Sequence, residues 1–363
     1  MSSVLTAAPA SIQAPTPRLH AISWGGALAE PDAAALRPDR VRAIFDVELT
    51  NCCNAHCIMC PREKTPAMGL MEKGTFRKVV ERAVEYGRVE SFVMCGLGEP
   101  LLHPDIVKFV GAAAEAGLKP SIVTNGSLLT REMSRALVAA GLRNVNVSLG
   151  GFTRETYEAV HRGLKFDDVY RNTQDFLEAA RGRAFLNIQI SPTRATIHEA
   201  ASIATFWRAR GARFCFIFPF AASRGGSLST SDGQVMQCQT ERLYRMPHGC
   251  INIEELFRPT RRDARIMHRR AQFVCYPKDR VTFVSWQGLY QLCCSDYEKK
   301  HSVGSVFQRS VDEAYAHKAR ASPETNTVCA GCDFSGGDLK PRNIRFYIGA
   351  AVYLARSALA TFA

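Results

Sequence analysis

The sequence predicts an α/β protein built on a parallel sheet, and three observations carry that prediction. Between residues 44 and 218, β-prone runs alternate with segments of helical periodicity. The connections are short, and parallel neighbours need a crossover helix where antiparallel ones need only a turn. Unusual residues also recur at the C-terminal ends of the first four strands, where such folds hold their ligands. Six repeats of this kind fit either an open doubly wound sheet or an incomplete (β/α) barrel.

Residues 1–40 contain several prolines and little periodicity, so they read as an irregular lead-in. A first strand over 44–49 runs into a cysteine loop. The helix over 73–87 follows, with Phe76, Val79, Val80, Ala83 and Val84 at helical spacing. A strand over 89–94 stops at Cys95-Gly96-Leu97-Gly98-Glu99-Pro100. Next come a helix over 105–116, with Gly117 as its C-cap, and a strand over 120–123 ending in Thr124-Asn125-Gly126. A helix near 131–140 leads to a strand over 144–149, which ends in Ser148-Leu149-Gly150-Gly151. Helices near 153–161 and 167–181, a strand over 185–190, a helix over 197–209 and a strand over 213–218 complete the repeats. Residues 219–274 begin with a Gly/Ser-rich stretch at Arg224-Gly225-Gly226, lack strand periodicity and read as a linker with a helix or two. From Cys275 the pattern resumes, and 281–284 with 289–292 read as a hairpin around Trp286-Gln287-Gly288.

A chain of 363 residues can bury one large core, or one large and one small. Charged residues at 22% and apolar ones at 46% are ordinary for a globular protein. The thirteen cysteines lie in short-spaced groups rather than spread as a disulfide scaffold. Residues 1–40 have no basic stretch followed by an apolar one, as an export signal would. Metal ligation in a reducing cytoplasm is the expectation. The formal charge of +12 suits an anionic partner. Part of it, Arg258, Arg261, Arg262, Arg265, Arg269 and Arg270, can line one side of a helix, whose plain reading is a solvated face. No aromatic platform is interleaved with these arginines, so a nucleic-acid partner is not expected.

The chemistry centres on Cys53-Asn54-Ala55-His56-Cys57-Ile58-Met59-Cys60. Three thiolates in one short loop can hold three corners of a cubane iron–sulfur cluster, where a closed site takes four cysteines. The fourth iron is then open to a substrate or cofactor. A structural zinc loop or a group of buried cysteines is the other reading.

This C-x3-C-x2-C spacing resembles the signature of the radical S-adenosylmethionine (SAM) enzymes. The resemblance implies a partial (β/α)6 barrel with the cluster loop after the first strand. It further implies a [4Fe–4S] cluster whose open iron is chelated by SAM. One electron then splits SAM into methionine and a 5′-deoxyadenosyl radical. The Gly98-Glu99-Pro100 turn resembles the family's Gly-Gly-Glu-Pro motif, with Leu97 in place of the first glycine. By the same resemblance it contacts the SAM methionyl ammonium. Met59 stands where the family has a residue packing near the adenine, a task suited to a soft side chain. Ser148 stands where the family contacts the ribose, but the acidic residue expected two positions on is Gly150. Asn125 is a neighbour of the same pocket, and Arg194, after the fifth strand, can meet the SAM carboxylate. A flavodoxin- or ferredoxin-type protein is the implied electron donor.

Cys275, Cys293, Cys329 and Cys332 form a second group, spaced Cys-x12-Gly-x4-Cys and then Cys-x2-Cys. Four thiolates suit a fully ligated [4Fe–4S] cluster or a structural zinc. The spacing resembles the twitch form of the family's SPASM extension, with one auxiliary cluster. Cys294 competes with Cys293 as a ligand. Cys52, Cys95, Cys215, Cys238 and Cys250 are left over, and buried free thiols are their default. The apolar tail over 341–363, interrupted by Arg345 and Arg356, is expected to dock on the barrel rather than cross a membrane, with surface attachment to lipid as the other use.

The expected function is hydrogen abstraction from a small molecule, with a sugar, nucleoside or aminocyclitol of a natural-product pathway as first choice. In that scheme the auxiliary cluster transfers electrons. Maturation of a ribosomal peptide is the second reading, and a non-catalytic zinc or iron–sulfur protein the third.

Overall fold

The computed structural model describes residues 40–65, 67–217, 250–252, 260–270, 275–330 and 332. Most of the lead-in, much of the 219–274 linker with Cys238, and the tail over 341–363 lie outside them. The core alternates β1 (Ala43–Val47), α1 (Lys73–Tyr86), β2 (Val89–Met94), α2 (Ile106–Glu115), β3 (Pro120–Thr124), α3 (Arg131–Ala139) and β4 (Asn144–Leu149). It continues with α4 (Arg154–Val160), α5 (Phe166–Ala180), β5 (Phe185–Ile190), α6 (Ala200–Ala209), β6 (Phe214–Ile217) and β7 (Cys250–Asn252). Every neighbouring pair from β1 to β7 is parallel.

Strand order decides between the two architectures. β1 to β7 lie side by side in chain order, without the reversal that marks a doubly wound sheet. Right-handed crossovers, the rule for parallel units, then carry the helices to one face, and such a sheet curls into a barrel. Among the described residues no ladder joins β7 to the opposite edge, so the barrel is partial. The seventh strand corrects the expectation for 219–274. Three residues are too few to reveal a period of two, and β6 supplies the pairing that makes them a strand.

The hairpin over 281–284 and 289–292 is present as β8 (Val281–Val284) and β9 (Leu289–Gln291). β8 pairs parallel with β1, Ile44 to Val281 through Val47 to Val284, so the C-terminal segment continues the barrel sheet at its first edge. β10 (Ser302–Ser305) pairs antiparallel with β9.

Helix ends follow local chemistry. Thr130 Oγ1 accepts from Met133 N at 3.2 Å to start α3, and Thr153 with Thr156 forms a capping box for α4. The cap of α2 is Ala116, and Gly117 at φ 77° is the residue after it. The Leu118 N–H donates to the Ala113 carbonyl at 3.0 Å, closing a Schellman-type end. Under the helices, Phe76 stacks on Phe109 at 4.1 Å and Phe45 on Phe92 at 6.2 Å. In helix α7 (Arg261–Arg270), Arg261, Arg262, Arg265 and Arg269 are exposed. Its buried Asp263 accepts from Arg42 N at 3.0 Å, tying it to the start of β1.

Side chains on the strands alternate. Val145, Val147 and Leu149 of β4 and Leu186, Ile188 and Ile190 of β5 enter the apolar core. The opposite face of the sheet carries Asn144, Asn146, Ser148, Asn187 and Gln189. There Asn187 Nδ2 donates to Asn146 Oδ1 at 2.9 Å and Asn144 Nδ2 to Ser121 Oγ at 3.0 Å.

Candidate active site

The cysteine loop follows β1 and is fastened at its neck. Buried Asn51 donates from Nδ2 to the Ala67 carbonyl at 2.6 Å and accepts from Gly69 N at 2.9 Å. Past the neck, the end of α4 grips the loop. The His56 N–H donates to the Arg162 carbonyl at 2.8 Å and the Ile58 N–H to the Val160 carbonyl at 3.1 Å. Cys57 lies between those two bonds.

Cys53, Cys57 and Cys60 are each half-buried. Burial pushes the Cys57 thiol up to about 12, with Cys60 and Cys53 adding to the shift and Arg62 opposing it. Burial likewise raises Cys53, with Cys60 among the nearby groups that push it further. Cys53 and Cys57 in this setting keep their protons unless a cation displaces them, and iron does so because the thiolate is the metal ligand. Among the described residues no three His, Cys, Asp or Glu side chains converge on one point as a single ion requires. A cubane makes no such demand, because each cysteine holds a different iron. The donor set fits a cluster.

Above the loop runs the turn after β2. A Cβ on Gly98 would lie 2.2 Å from the Thr50 carbonyl oxygen and 2.6 Å from that of Cys52. Only glycine lets the two backbones come this close, and the Glu99 N–H then donates to the Cys52 carbonyl at 2.8 Å. The Glu99 carboxylate is turned inward and 1% exposed. It accepts from Leu101 N at 3.0 Å, Thr124 Oγ1 at 2.7 Å and Asn125 N at 2.8 Å. Burial lifts it to about 7 against these three donors. Glu99 thus locks the end of β2 to the end of β3, and Pro100 starts the one-turn helix beside it.

Asn125 joins the two loops. Its Nδ2 donates to Asn54 Oδ1 at 2.9 Å and lies 3.9 Å from Cys53 Sγ. Its Oδ1 accepts from Ser127 N and Oγ. Ser148 lies half-buried on the polar face at the end of β4, and Met59 is half-buried in the loop. Arg194 is exposed on the turn after β5. The space expected to hold an acidic residue at 150 is taken, since a Cβ there would come within 2.7 Å of His161 Nε2. Burial holds the His161 ring down at about 4.

In the C-terminal segment, Cys275 and Cys293 are both 8% exposed, while Cys329 and Cys332 are half-buried. Burial pushes Cys275 up to about 12, with Cys332 among the groups that raise it further. Burial also raises Cys293, with Cys294 and Cys275 nearby. Cys294 lies within electrostatic reach of Cys95 on the other side. The buried Lys278 and Lys318 stand beside the thiols, Lys318 Nζ donating to the Val281 carbonyl at 2.8 Å. Cys215 is ordinary core, fully buried with its Sγ 3.7 Å from the Ala204 carbonyl.

Sequence reasoning missed Arg62, Asn54, Thr124 and His161. Asn54 and Thr124 lie within quoted stretches but were given no role, whereas Arg62 and His161 belong to no spacing motif, and only Gly150 hinted that another side chain fills that corner.

Residues 47–193 match the family model described as the Radical SAM superfamily, so this stretch of the chain is a radical SAM domain. Two curated relatives are similar over part of it. A GTP 3′,8-cyclase of Desulforamulus reducens is 31% identical over 44% of this chain and 49% of that protein. An AdoMet-dependent heme synthase of Methanosarcina barkeri is 32% identical over 31% of this chain and 32% of that one. The chain spans about half or less of the length of these relatives. Solved structures share the fold across more of the chain. BtrN in complex with AdoMet and 2-DOIA has a TM-score of 0.51 at 17% identity, over 81% of this chain and 94% of that one. SuiB of Streptococcus suis bound to S-adenosylmethionine has a TM-score of 0.61 at 13% identity, over 82% and 73%. Among the described residues, no helix is long and apolar enough to cross a membrane.

Proposed function

We propose that this chain is a radical SAM enzyme acting on a small polar molecule. When bound, a [4Fe–4S] cluster and S-adenosylmethionine supply an electron and a 5′-deoxyadenosyl radical that abstracts a substrate hydrogen. Cys53, Cys57 and Cys60 hold the cluster. Gly98, Pro100, Met59, Asn125, Ser148 and Arg194 are the SAM-binding set, with Glu99 keeping their loops in register. The observation that carries this reading is Gly98 seated on the Thr50 and Cys52 carbonyls. A structural metal loop has no use for a side-chain-free turn pressed against it.

The polar sheet face supports the substrate class. Asn144, Asn146, Ser148, Asn187 and Gln189 offer amides and hydroxyls, which suit the hydroxyl groups of a sugar, nucleoside or aminocyclitol. Cys275, Cys293, Cys329 and Cys332 hold an auxiliary cluster that takes up the electron released when the substrate radical is oxidised to product. The buried Lys278 and Lys318 offset its negative charge. A flavodoxin- or ferredoxin-type protein reduces the first cluster.

The test is 5′-deoxyadenosine release. Anaerobically iron-loaded, reduced protein given SAM should form it, and Cys57→Ala should abolish it. Deuterium carried from a candidate substrate into 5′-deoxyadenosine would name the substrate. An iron-replete protein that leaves SAM intact contradicts the reading.

A further inference from the structure

The corner of the site behind Cys57 is closed by His161. The residue caps α4, its N–H donating to the Tyr157 carbonyl at 2.7 Å, and its ring stacks on Tyr157 at 4.7 Å. Its Nδ1 lies 3.2 Å from Cys57 Sγ. The side chain is buried, and Nε2 has no hydrogen-bond partner among the described residues. That nitrogen faces Gly150, where the missing side chain makes room for the ring. The two backbone bonds from the cysteine loop to Val160 and Arg162 flank His161, so the distance to Cys57 is set by the scaffold on both sides.

We propose that His161 donates its Nδ1 hydrogen to the Cys57 sulfur when that sulfur is a cluster ligand, and thereby raises the reduction potential of the cluster at the three-cysteine loop. The inference rests on reading that loop as a cluster site. An iron-bound thiolate only accepts hydrogen bonds, so contact at this distance requires the hydrogen on Nδ1. In the neutral ring Nε2 then carries a lone pair rather than a proton. This suits a ring nitrogen that makes no hydrogen bond among the described residues, because orphaned buried N–H groups are rarer than orphaned acceptors. Hydrogen bonds to cluster sulfurs draw off charge and favour the reduced state, which is one of the levers proteins use on such potentials. His161 is in this sense a positioning and tuning residue.

The test is an EPR-monitored redox titration of the iron-loaded full chain, following the cluster signal that changes when SAM is added. His161→Leu removes the donor, and Gly150→Ala pushes a methyl against the ring while leaving the histidine in place. Both should titrate at a more negative midpoint than wild type with the same iron per chain, and His161→Gln should recover part of the shift. A loaded His161→Leu protein at the wild-type midpoint overturns the proposal. If that variant holds no iron, Gly150→Ala decides by the same criterion, and loss of iron from both reduces His161 to a packing role. A wild-type cluster signal that ignores SAM instead overturns the reading of the loop itself.

Discussion

Gly98 rests against the Thr50 carbonyl so closely that a Cβ would stand 2.2 Å from its oxygen. The obstacle is backbone on a loop fastened at its neck and along its length, so it cannot swing aside as a side-chain tip could. Gly98→Ala should cost about 1–3 kcal/mol of stability. It should lower SAM affinity more than tenfold, measured by equilibrium binding to the iron-loaded protein. Wild-type affinity would mean that the two loops separate freely.

Glu48, at the end of β1, is fully buried and paired with Lys299, which sits at φ 56° in the segment after Cys293. The pair fastens the C-terminal segment to the barrel. Lys299→Met should destabilise by about 3–5 kcal/mol in denaturant unfolding, because it strands a buried carboxylate. Adding Glu48→Gln should recover much of that loss. Equal stability of single and double variants would contradict this.

Glu99 has a pH signature. Its carboxyl is raised from 4.5 to about 7, so between those values the folded chain binds the proton more firmly than the unfolded chain. Stability therefore falls as pH rises through that window, by at most about 1.4 kcal/mol per unit. Glu99→Gln should remove this slope in unfolding midpoints taken from pH 5 to 7.5. A slope that persists would assign it to another group.

The proposed auxiliary site should separate from the first by function. Cys329→Ala should keep 5′-deoxyadenosine formation and lose substrate turnover at least tenfold. Unchanged turnover would remove the electron-transfer role.

Much of this was legible in the sequence, and the reasons differ by element. The six core strands could be read because each is a short β-prone stretch between helices of clear periodicity, and β2, β4 and β5 match to the residue. Barrel and doubly wound sheet could not be told apart from pattern alone, since both repeat the same unit. Only the pairing order distinguishes them. β7 stayed hidden because three residues show no period. Gly98 was legible since close approach restricts residue type, and Cys53, Cys57 and Cys60 stood out by their short spacing. His161 was not, because it lies 104 positions from Cys57 and meets it through the fold. One signal was available and unused. The alternation in Asn144-Val145-Asn146-Val147-Ser148 is uncommon for a central parallel strand, which usually reads as continuous apolar sequence. It marks a polar sheet face, which the proposed function assigns to the substrate.

The central claim is that three cysteines hold a cluster with one iron left for SAM. The Mössbauer spectrum of the anaerobically loaded chain, recorded with and without SAM, tests it most directly. The account predicts that one iron subsite changes its isomer shift when SAM is added and that this response disappears in Cys57→Ala. A spectrum in which no iron responds to SAM would contradict it.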